Sequence, residues 1–383
     1  MAETKWKTVR LEDLALINSK SISLKYPYKE IEYIDTSTVV GNEFGPLQKL
    51  ILSEAPSRAK RIVQHGDIIL STVRPIQRHF GFIQNPKPNT IASTGFAVIT
   101  PKSINPEFLY YYLSQESITN YLNGIAETST TTFPAFRPEV LSDLEIIIPE
   151  DENTQRRIAD ILSSLDDKIE LNRQTNAALE AIAQTIFKEW FVDFNFPGAT
   201  GEMVESDLGL IPKGWRVGKL GDFVKINSGK GLQRNEFSET GYLVLGANGP
   251  IGRTGKHLVD GEVILTGRVG TLGTFQLVNE KVWISDNVLI MWPLRKENYY
   301  FSYSWVKSID FRNLNRGSTQ PLVTKTDLVN QPLFIPDFSL LQAFDSICRA
   351  LFNQIEINNH QTATLDTIRD FLLPKLMNGE IEM

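Results

Sequence analysis

The sequence predicts an α/β (α+β) protein: two tandem globular domains separated by a pair of long, antiparallel, coiled-coil-like helices, related by an internal pseudo-twofold repeat. Three observations carry this. The chain repeats itself, each copy ends in a long heptad pattern, and the pieces ahead of those patterns carry turn and strand signals. The expected segments are a globular domain over 1–150, a helix over 151–191, a linker over 192–214, a second globular domain over 215–336, and a second helix with its tail over 337–383.

The first domain opens on Trp6-Lys7-Thr8-Val9 and contains Gly66-Asp67-Ile68-Ile69-Leu70. The second opens on Trp215-Arg216-Val217 and contains Gly261-Glu262-Val263-Ile264-Leu265. The offset is 209 at the tryptophans and 195 at the glycines. It is 187 at Pro134/Pro321 and at Ile148-Pro149/Ile335-Pro336, and 186 along the helices. The length differences therefore fall inside the globular pieces, in surface loops where recognition residues tend to sit.

Between Glu152 and Phe191 there is no Gly or Pro, and apolar or small residues recur in 4-3 steps through Leu165, Ile169 and Leu179, with Asn172 and Asn176 completing the seam. At ~1.5 Å per residue such a helix extends ~60 Å. The second copy repeats the seam as Phe344, Cys348, Leu351, Ile355, Asn358, Thr362, Leu365, Arg369, Leu372 and Leu376, before Pro374 and Gly379 close it. A long helix with one apolar stripe needs a partner, and the nearest is its own repeat. The expected interface is Leu165, Ile169, Asn172, Asn176 and Leu179 against Leu351, Ile355, Asn358, Thr362 and Leu365. In an antiparallel pair the polar layers face each other near the middle, where buried amides set register. The stretch 195–214, with Pro197-Gly198, Gly201, Gly209 and Pro212-Lys213-Gly214, reads as a linker.

A chain of 383 residues with 42% hydrophobic and 22% charged residues is an ordinary globular protein. No apolar run reaches the ~20 residues of a membrane helix, and Met1-Ala2-Glu3-Thr4-Lys5 opens without an apolar signal core, so a cytoplasmic protein is expected. The single cysteine, Cys348, and four scattered histidines leave no spacing for a disulfide or a metal site. The net charge of −6 argues at first against nucleic acid, but residues 215–336 carry 15 basic and 10 acidic residues, and the negative charge belongs mainly to helices and linker. The basic residues lie among Gly, Ser, Thr and aromatics, the types that hold phosphates and bridge base edges. The DNA-binding candidates are Arg58, Lys60, Arg61, Arg74 and Arg78 in the first domain. In the second they are Lys230, Arg234, Arg253, Arg268, Arg316, Thr319 and Gln320.

The sequence carries no recognisable catalytic motif. There is no Asn/Asp-Pro-Pro-aromatic motif for amino-methyl transfer, no phosphate-binding Gly-x-x-x-x-Gly-Lys-Ser/Thr, and no Gly-x-Gly-x-x-Gly after a strand. Gly267-Arg268-Val269-Gly270-Thr271-Leu272-Gly273 has the wrong spacing and reads as a turn between strands. Pro336-Asp337 has no Glu-x-Lys downstream.

Two variable domains, each followed by an equivalent long helix, resemble the specificity subunit of a type I restriction-modification system over the whole chain. The resemblance rests on Trp6 and Trp215, the Gly66 and Gly261 turns, and Gly317-Ser318-Thr319-Gln320-Pro321. It also rests on the connector from Gly201-Glu202-Met203 to Ile211-Pro212-Lys213-Gly214-Trp215, and on the tail Leu373-Pro374-Lys375-Leu376-Met377-Asn378-Gly379-Glu380-Ile381. The first domain departs from it, with Thr130-Thr131-Thr132-Phe133-Pro134 in place of Gly-Ser-Thr-Gln-Pro. The resemblance implies a non-catalytic reader of double-stranded DNA. Each target-recognition domain takes one half of a bipartite site, and the helices set the gap and hold two methyltransferase subunits, with restriction subunits joining where the system has them. No cofactor is then expected in this chain, S-adenosylmethionine belonging to the methyltransferase subunits and ATP and Mg to the restriction subunits. Four residues inserted near Asn176 should lengthen the gap. Two other classes stand beside this reading: a coiled-coil protein-interaction scaffold without DNA specificity, against which the unequal loops and basic second domain argue, and an enzyme with an unrecognised site.

Overall fold

The computed structural model describes residues 4–129, 133–316 and 322–383. Two compact units emerge, and neither is a continuous stretch of chain: Met1–Leu171 with His360–Met383, and Asn172–Asn359. Each unit therefore takes half of both long helices, Glu152–Phe191 and Phe338–Met377.

In the first unit the opening strand Trp6–Arg10 pairs antiparallel with Glu145–Pro149, Trp6 opposite Pro149, so the globular piece is tied shut just before the helix begins. Asp151 then caps the helix, its carboxylate accepting from the backbone N–H of Asn153 (3.2 Å) and Thr154 (3.1 Å). Between these ends lie two four-stranded sheets. One is antiparallel, in the order Ala15–Ile17, Phe96–Pro101, Ile68–Ser71, Phe80–Phe82. The other is mixed: Gln48–Ile51, Glu30–Ile34, Thr90–Ser93, Ala59–Ile62. The run Phe96-Ala97-Val98-Ile99 is apolar without alternation because its strand is buried on both faces. Helix Pro106–Ser114 starts where Asn105 accepts from Phe108 N–H at 2.9 Å with Pro106 in the first turn. It packs Phe108, Leu109 and Tyr112 into a core shared with Ile158 and Leu162 of one long helix and Leu376 and Met377 of the other.

The second unit repeats this plan with fewer residues. Arg216–Lys219 pairs with Pro332–Ile335, and a four-stranded antiparallel sheet runs Val224–Ser228, Val288–Pro293, Glu262–Gly267, Phe275–Asn279. Its second sheet has three strands in place of four: Gly249–Thr254, Tyr242–Gly246, Val282–Ile284. The segment expected to be linker includes a β-hairpin, Met203–Ser206 with Gly209–Pro212. Trp215 packs against Phe191, Phe194 and Phe196. Gly379 meets Trp6 in the same way in the first unit. Its φ of +71° is a left-handed value, and a Cβ there would fall 2.8 Å from the indole. Each opening tryptophan is thus a platform for the segment that follows a long helix.

Within each unit the helices pair antiparallel. In the second, Asn172 and Asn176 lie opposite Asn358 and Asn359, while Phe187, Trp190 and Phe191 pack on Phe344. In the first, Asp166 pairs with Arg369 at 2.8 Å. Complete burial of Phe187, Phe191 and Phe344 contributes about 1.5–3 kcal/mol per ring. Asn172 (2% exposed) and Asn358 (6%) form the polar layer. Asn172 donates to the Asn358 carbonyl (3.4 Å), Asn358 to the Asn176 carboxamide oxygen (2.7 Å), Asn176 to Asn359 (2.8 Å) and Gln354 to Asn358 (2.9 Å). Leu165, Ile169, Leu179, Leu351, Ile355, Thr362 and Leu365 are half-buried on the same stripes.

The second helix does not stop at Pro374, where the sequence suggested an end, but at Met377. Proline there sacrifices one hydrogen bond in the final turn. Buried Leu376 and Met377 hold that turn to the core, and Glu380 N–H closes the end on the Lys375 carbonyl at 2.9 Å.

Candidate nucleic-acid interface

In the first unit three candidate cations are tied to neighbouring backbone. Thr94 N–H donates to the Arg58 carbonyl (2.7 Å), and Thr72 N–H to the carbonyl of Gly95 (2.9 Å). Arg74 and Arg78 follow in the 72–79 loop, where Gly41 N–H reaches the Arg78 carbonyl (3.0 Å). Lys60 and Arg61 lie on strand Ala59–Ile62, Lys60 exposed and Arg61 half-buried with Nη1 donating to Ser21 Oγ at 3.3 Å. Arg61 Nε is buried without a hydrogen-bond partner among the described residues.

In the second unit Lys230 and Arg268 lie at the end of strand Val224–Ser228, and Arg316 N–H donates to the Leu322 carbonyl (2.9 Å). Arg268 Nη1 donates to Ser228 Oγ (3.3 Å), Lys230 N–H to the Ile284 carbonyl (2.9 Å), and Val323 N–H to the Arg268 carbonyl (3.1 Å). Gly229 is required here, because a Cβ would sit 2.2 Å from the Ser285 carbonyl oxygen. Arg234 and Arg253 form a second pair, linked through Phe237 N–H to Arg234 O (3.4 Å) and Ser238 N–H to Arg253 O (2.9 Å). Thr319 and Gln320, like Thr130 to Thr132, lie outside the described residues.

The cations are not equally available. Arg58 Nη2 lies 2.7 Å from Asp35, a buried carboxylate that also accepts from Tyr33 and Ser37. Burial alone would raise the Asp35 pKa. The hydrogen bonds from Ser37 and Tyr33 and the Arg58 charge outweigh it and hold the group below its ordinary value. Arg316 pairs at 2.5 Å with Asp327, whose side chain is 4% exposed and also caps helix Lys325–Val329 through Thr324. Each of these arginines is charge-paired, while its side chain stays more than half exposed (55% for Arg58, 69% for Arg316). Arg74 and Arg78 have no carboxylate partner among the described residues: Arg74 stacks 4.4 Å over Phe133, and Arg78 donates to the Ser114 carbonyl at 3.1 Å.

Arg74 and Arg78 are also conformationally unusual, with φ of 49° and 54°. For a long L side chain the left-handed region costs about 1–3 kcal/mol. The corresponding loop of the second unit has Gly270 (φ 76°) and Gly273 (φ 74°). Left-handed positions are thus taken by glycine in the second unit's turn and by arginine, at a strain cost, in the first.

Several residues of note were not among the sequence candidates. Lys325 Nζ donates to Asn227 Oδ1 at 3.1 Å beside Ser228. Val73, Ile76 and Phe133 are large, apolar and exposed around Arg74. Two tyrosine–carboxylate clamps join domain helices to the long helices: Tyr111 to Asp166 at 2.8 Å, and Tyr303 to Glu180, which also meets Lys307 at 2.5 Å. Their sequence signal was the recurrence of Tyr110-Tyr111-Tyr112 as Tyr299-Tyr300 with Tyr303. Among the described residues no helix is long and apolar enough to cross a membrane, and no three His, Cys, Asp or Glu side chains gather as a metal site.

A protein-family model described as the type I restriction modification DNA specificity domain matches residues 3–181 and 212–367. The chain is 27% identical to the type I restriction enzyme HindI specificity subunit of Haemophilus influenzae, over 98% of this chain and 99% of that one. It is 32% identical to the MjaIX specificity subunit of Methanocaldococcus jannaschii, over 84% of this chain and 79% of that one. Among solved structures it shares its fold with the type I restriction-modification S subunit from M. genitalium, at a TM-score of 0.60 and 17% identity, over 98% of this chain and 97% of that one.

Proposed function

Since the chain belongs to the type I restriction-modification DNA specificity family, we propose that it is the DNA-reading, non-catalytic subunit of such a system, each unit recognising one half of a bipartite duplex target. The observation that carries this is duplication with divergence. One scaffold of strand pair, four-stranded sheet and covering helix occurs twice, and the basic loops mounted on it differ in length and composition. A protein reading two identical half-sites would have no use for the difference. Arg74, Arg78, Lys60, Lys230 and Arg268, with Lys325 added, are the side chains through which the units meet phosphates and bases. Arg58 and Arg316 tie their loops to the buried carboxylates of Asp35 and Asp327.

The helices serve as ruler and dock. Their acidic faces suit a protein partner, and each unit also exposes apolar side chains from both helices: Leu171, Ile368 and Phe371 in the first, Ile182 and Ile357 in the second. Leu171 recurs as Ile357, and Ile182 as Ile368, at the 186-residue repeat. Two equivalent patches fit two copies of one partner, the methyltransferase subunit, which brings S-adenosylmethionine. Restriction subunits bring ATP and Mg where they join, and the assembly works in the cytoplasm. The test is methylome sequencing of a host expressing this chain with its methyltransferase subunit, against a host lacking the chain. A bipartite methylated motif dependent on the chain is the expected result. Unchanged methylation, with both proteins expressed and associated, would leave the scaffold reading in its place.

A further inference from the structure

Resting on that reading, we propose that the 73–78 turn is the base-reading element of the first unit, and that Ile76 reads the C5 methyl group of a thymine in the major groove. Ile76 is 57% exposed at the tip of a turn that also exposes Val73 (36%), with Phe133 (51%) beside it. Exposed isoleucines are common, but this one stands on a backbone with almost no freedom. Gln77 N–H bonds to the Arg74 carbonyl (2.9 Å), Arg78 N–H to Pro75 (2.9 Å), Arg74 N–H to Pro134 (2.8 Å) and Ser71 N–H to His79 (2.8 Å), while His79 Nδ1 lies 2.6 Å from the Val39 carbonyl. Pro75 is buried under the tip, and the two left-handed arginines close the loop on either side. Strain of this kind persists only where the surroundings over-determine it, and it concentrates at functional sites.

The chemistry of the tip selects its occupant. Arg74 and Arg78, neither with a carboxylate partner among the described residues, stand two positions either side of exposed Ile76, Arg74 over Phe133 and Arg78 bonded to the Ser114 carbonyl. A protein-binding patch tends to exclude charge from its apolar centre. The floor of the major groove instead sets the thymine methyl, the one apolar group there, between guanine and phosphate acceptors that arginine satisfies. The corresponding turn of the second unit, 268–274, has one arginine, Arg268, against two in the first, and no isoleucine, with glycines Gly270 and Gly273 at its left-handed positions. The two units are thereby given different reading chemistry at one place in one scaffold.

The test uses the chain assembled with its methyltransferase subunits, on duplexes carrying the motif found by methylome sequencing, with each thymine replaced in turn by deoxyuridine. Removing one buried methyl group should weaken wild-type binding about fourfold at one position of one half-site. Ile76→Ala should bind more weakly but no longer distinguish thymine from deoxyuridine there. Ile251→Ala, an equally exposed isoleucine of the second unit, should keep the discrimination. Equal responses of wild type and Ile76→Ala at every thymine would overturn the proposal, as would a wild type indifferent to every replacement, the behaviour of a minor-groove wedge, or half-sites without thymine. Absence of any chain-dependent motif would instead defeat the reading on which the proposal rests.

Discussion

Truncating Asn358 to alanine should destabilise the second unit by about 2–4 kcal/mol. The side chain is buried and makes two hydrogen bonds, donating to Asn176 at 2.7 Å and accepting from Gln354 at 2.9 Å. Each is worth about 1 kcal/mol net, and the Asn176 oxygen left behind in a partly buried site adds about 1–2 kcal/mol of unsatisfied polarity. Urea unfolding followed by tryptophan fluorescence reads the right unit, because Trp190, Trp215, Trp283, Trp292 and Trp305 lie in the second and only Trp6 in the first. Simultaneous replacement of Asn172, Asn176 and Asn358 by leucine should move the midpoint the other way, since the amides that lose a partner, Gln354 and Asn359, are exposed to water and apolar area is gained. It should also loosen register, seen as faster hydrogen exchange along both helices. A change below 0.5 kcal/mol for Asn358→Ala, or a triple variant less stable than the single one, would refute the assignment of this layer as a buried, mutually satisfied network.

Other outcomes follow from the same geometry. Because the helices pair antiparallel, an insertion in one must be matched in the other; seven residues added to each beside the asparagine layer should lengthen the DNA spacer by about 3 base pairs, at ~1.5 Å per residue against ~34 Å per duplex turn, with both half-sites intact in the methylome. Arg74→Ala should lower DNA affinity and reduce the salt slope by about 1 without moving the unfolding midpoint, whereas Arg316→Ala should destabilise the fold by leaving Asp327 buried and unpaired. Burial raises the Glu180 carboxyl, but hydrogen bonds from Lys307 and Tyr303 outweigh it and hold the pKa below 4.5. The clamp's stabilisation is therefore present above that value and lost as pH falls through the lowered folded pKa, and Glu180→Gln should flatten the fall of the urea midpoint as pH drops below 4.5. Ile182→Asp with Ile357→Asp should remove one methyltransferase copy from the assembly by native mass measurement, leaving the first unit's copy in place.

How much of this was legible beforehand differed by element. The long helices were the most legible, since the heptad seam of both and the absence of Gly and Pro from the first are local signals. Pro374 misled because its usual effect as a helix breaker was overridden by burial of Leu376 and Met377, which are distant in sequence from the core they enter. Arg369, a basic residue inside an apolar seam, is accounted for by Asp166 opposite it, whose carboxylate also accepts from Tyr111. The basic candidates were the least legible. Composition located the loops but could not rank the arginines, because rank depends on whether a carboxylate elsewhere in the chain has already claimed the guanidinium. Asp35 is 23 residues from Arg58, and no periodicity connects them.

The amino-acid sequence by itself determined the duplicated plan and the phase of the helical seams, because repeats and 3.5-residue periodicity are properties of order along a chain. Only the tertiary structure decided which cations stay available, which tyrosines clamp each domain to its helix halves, and which apolar side chain stands at a strained tip. Those outcomes depend on charges and surfaces brought together from far apart in the sequence, and on backbone angles such as those of Arg74 and Arg78 that only a surrounding fold can impose.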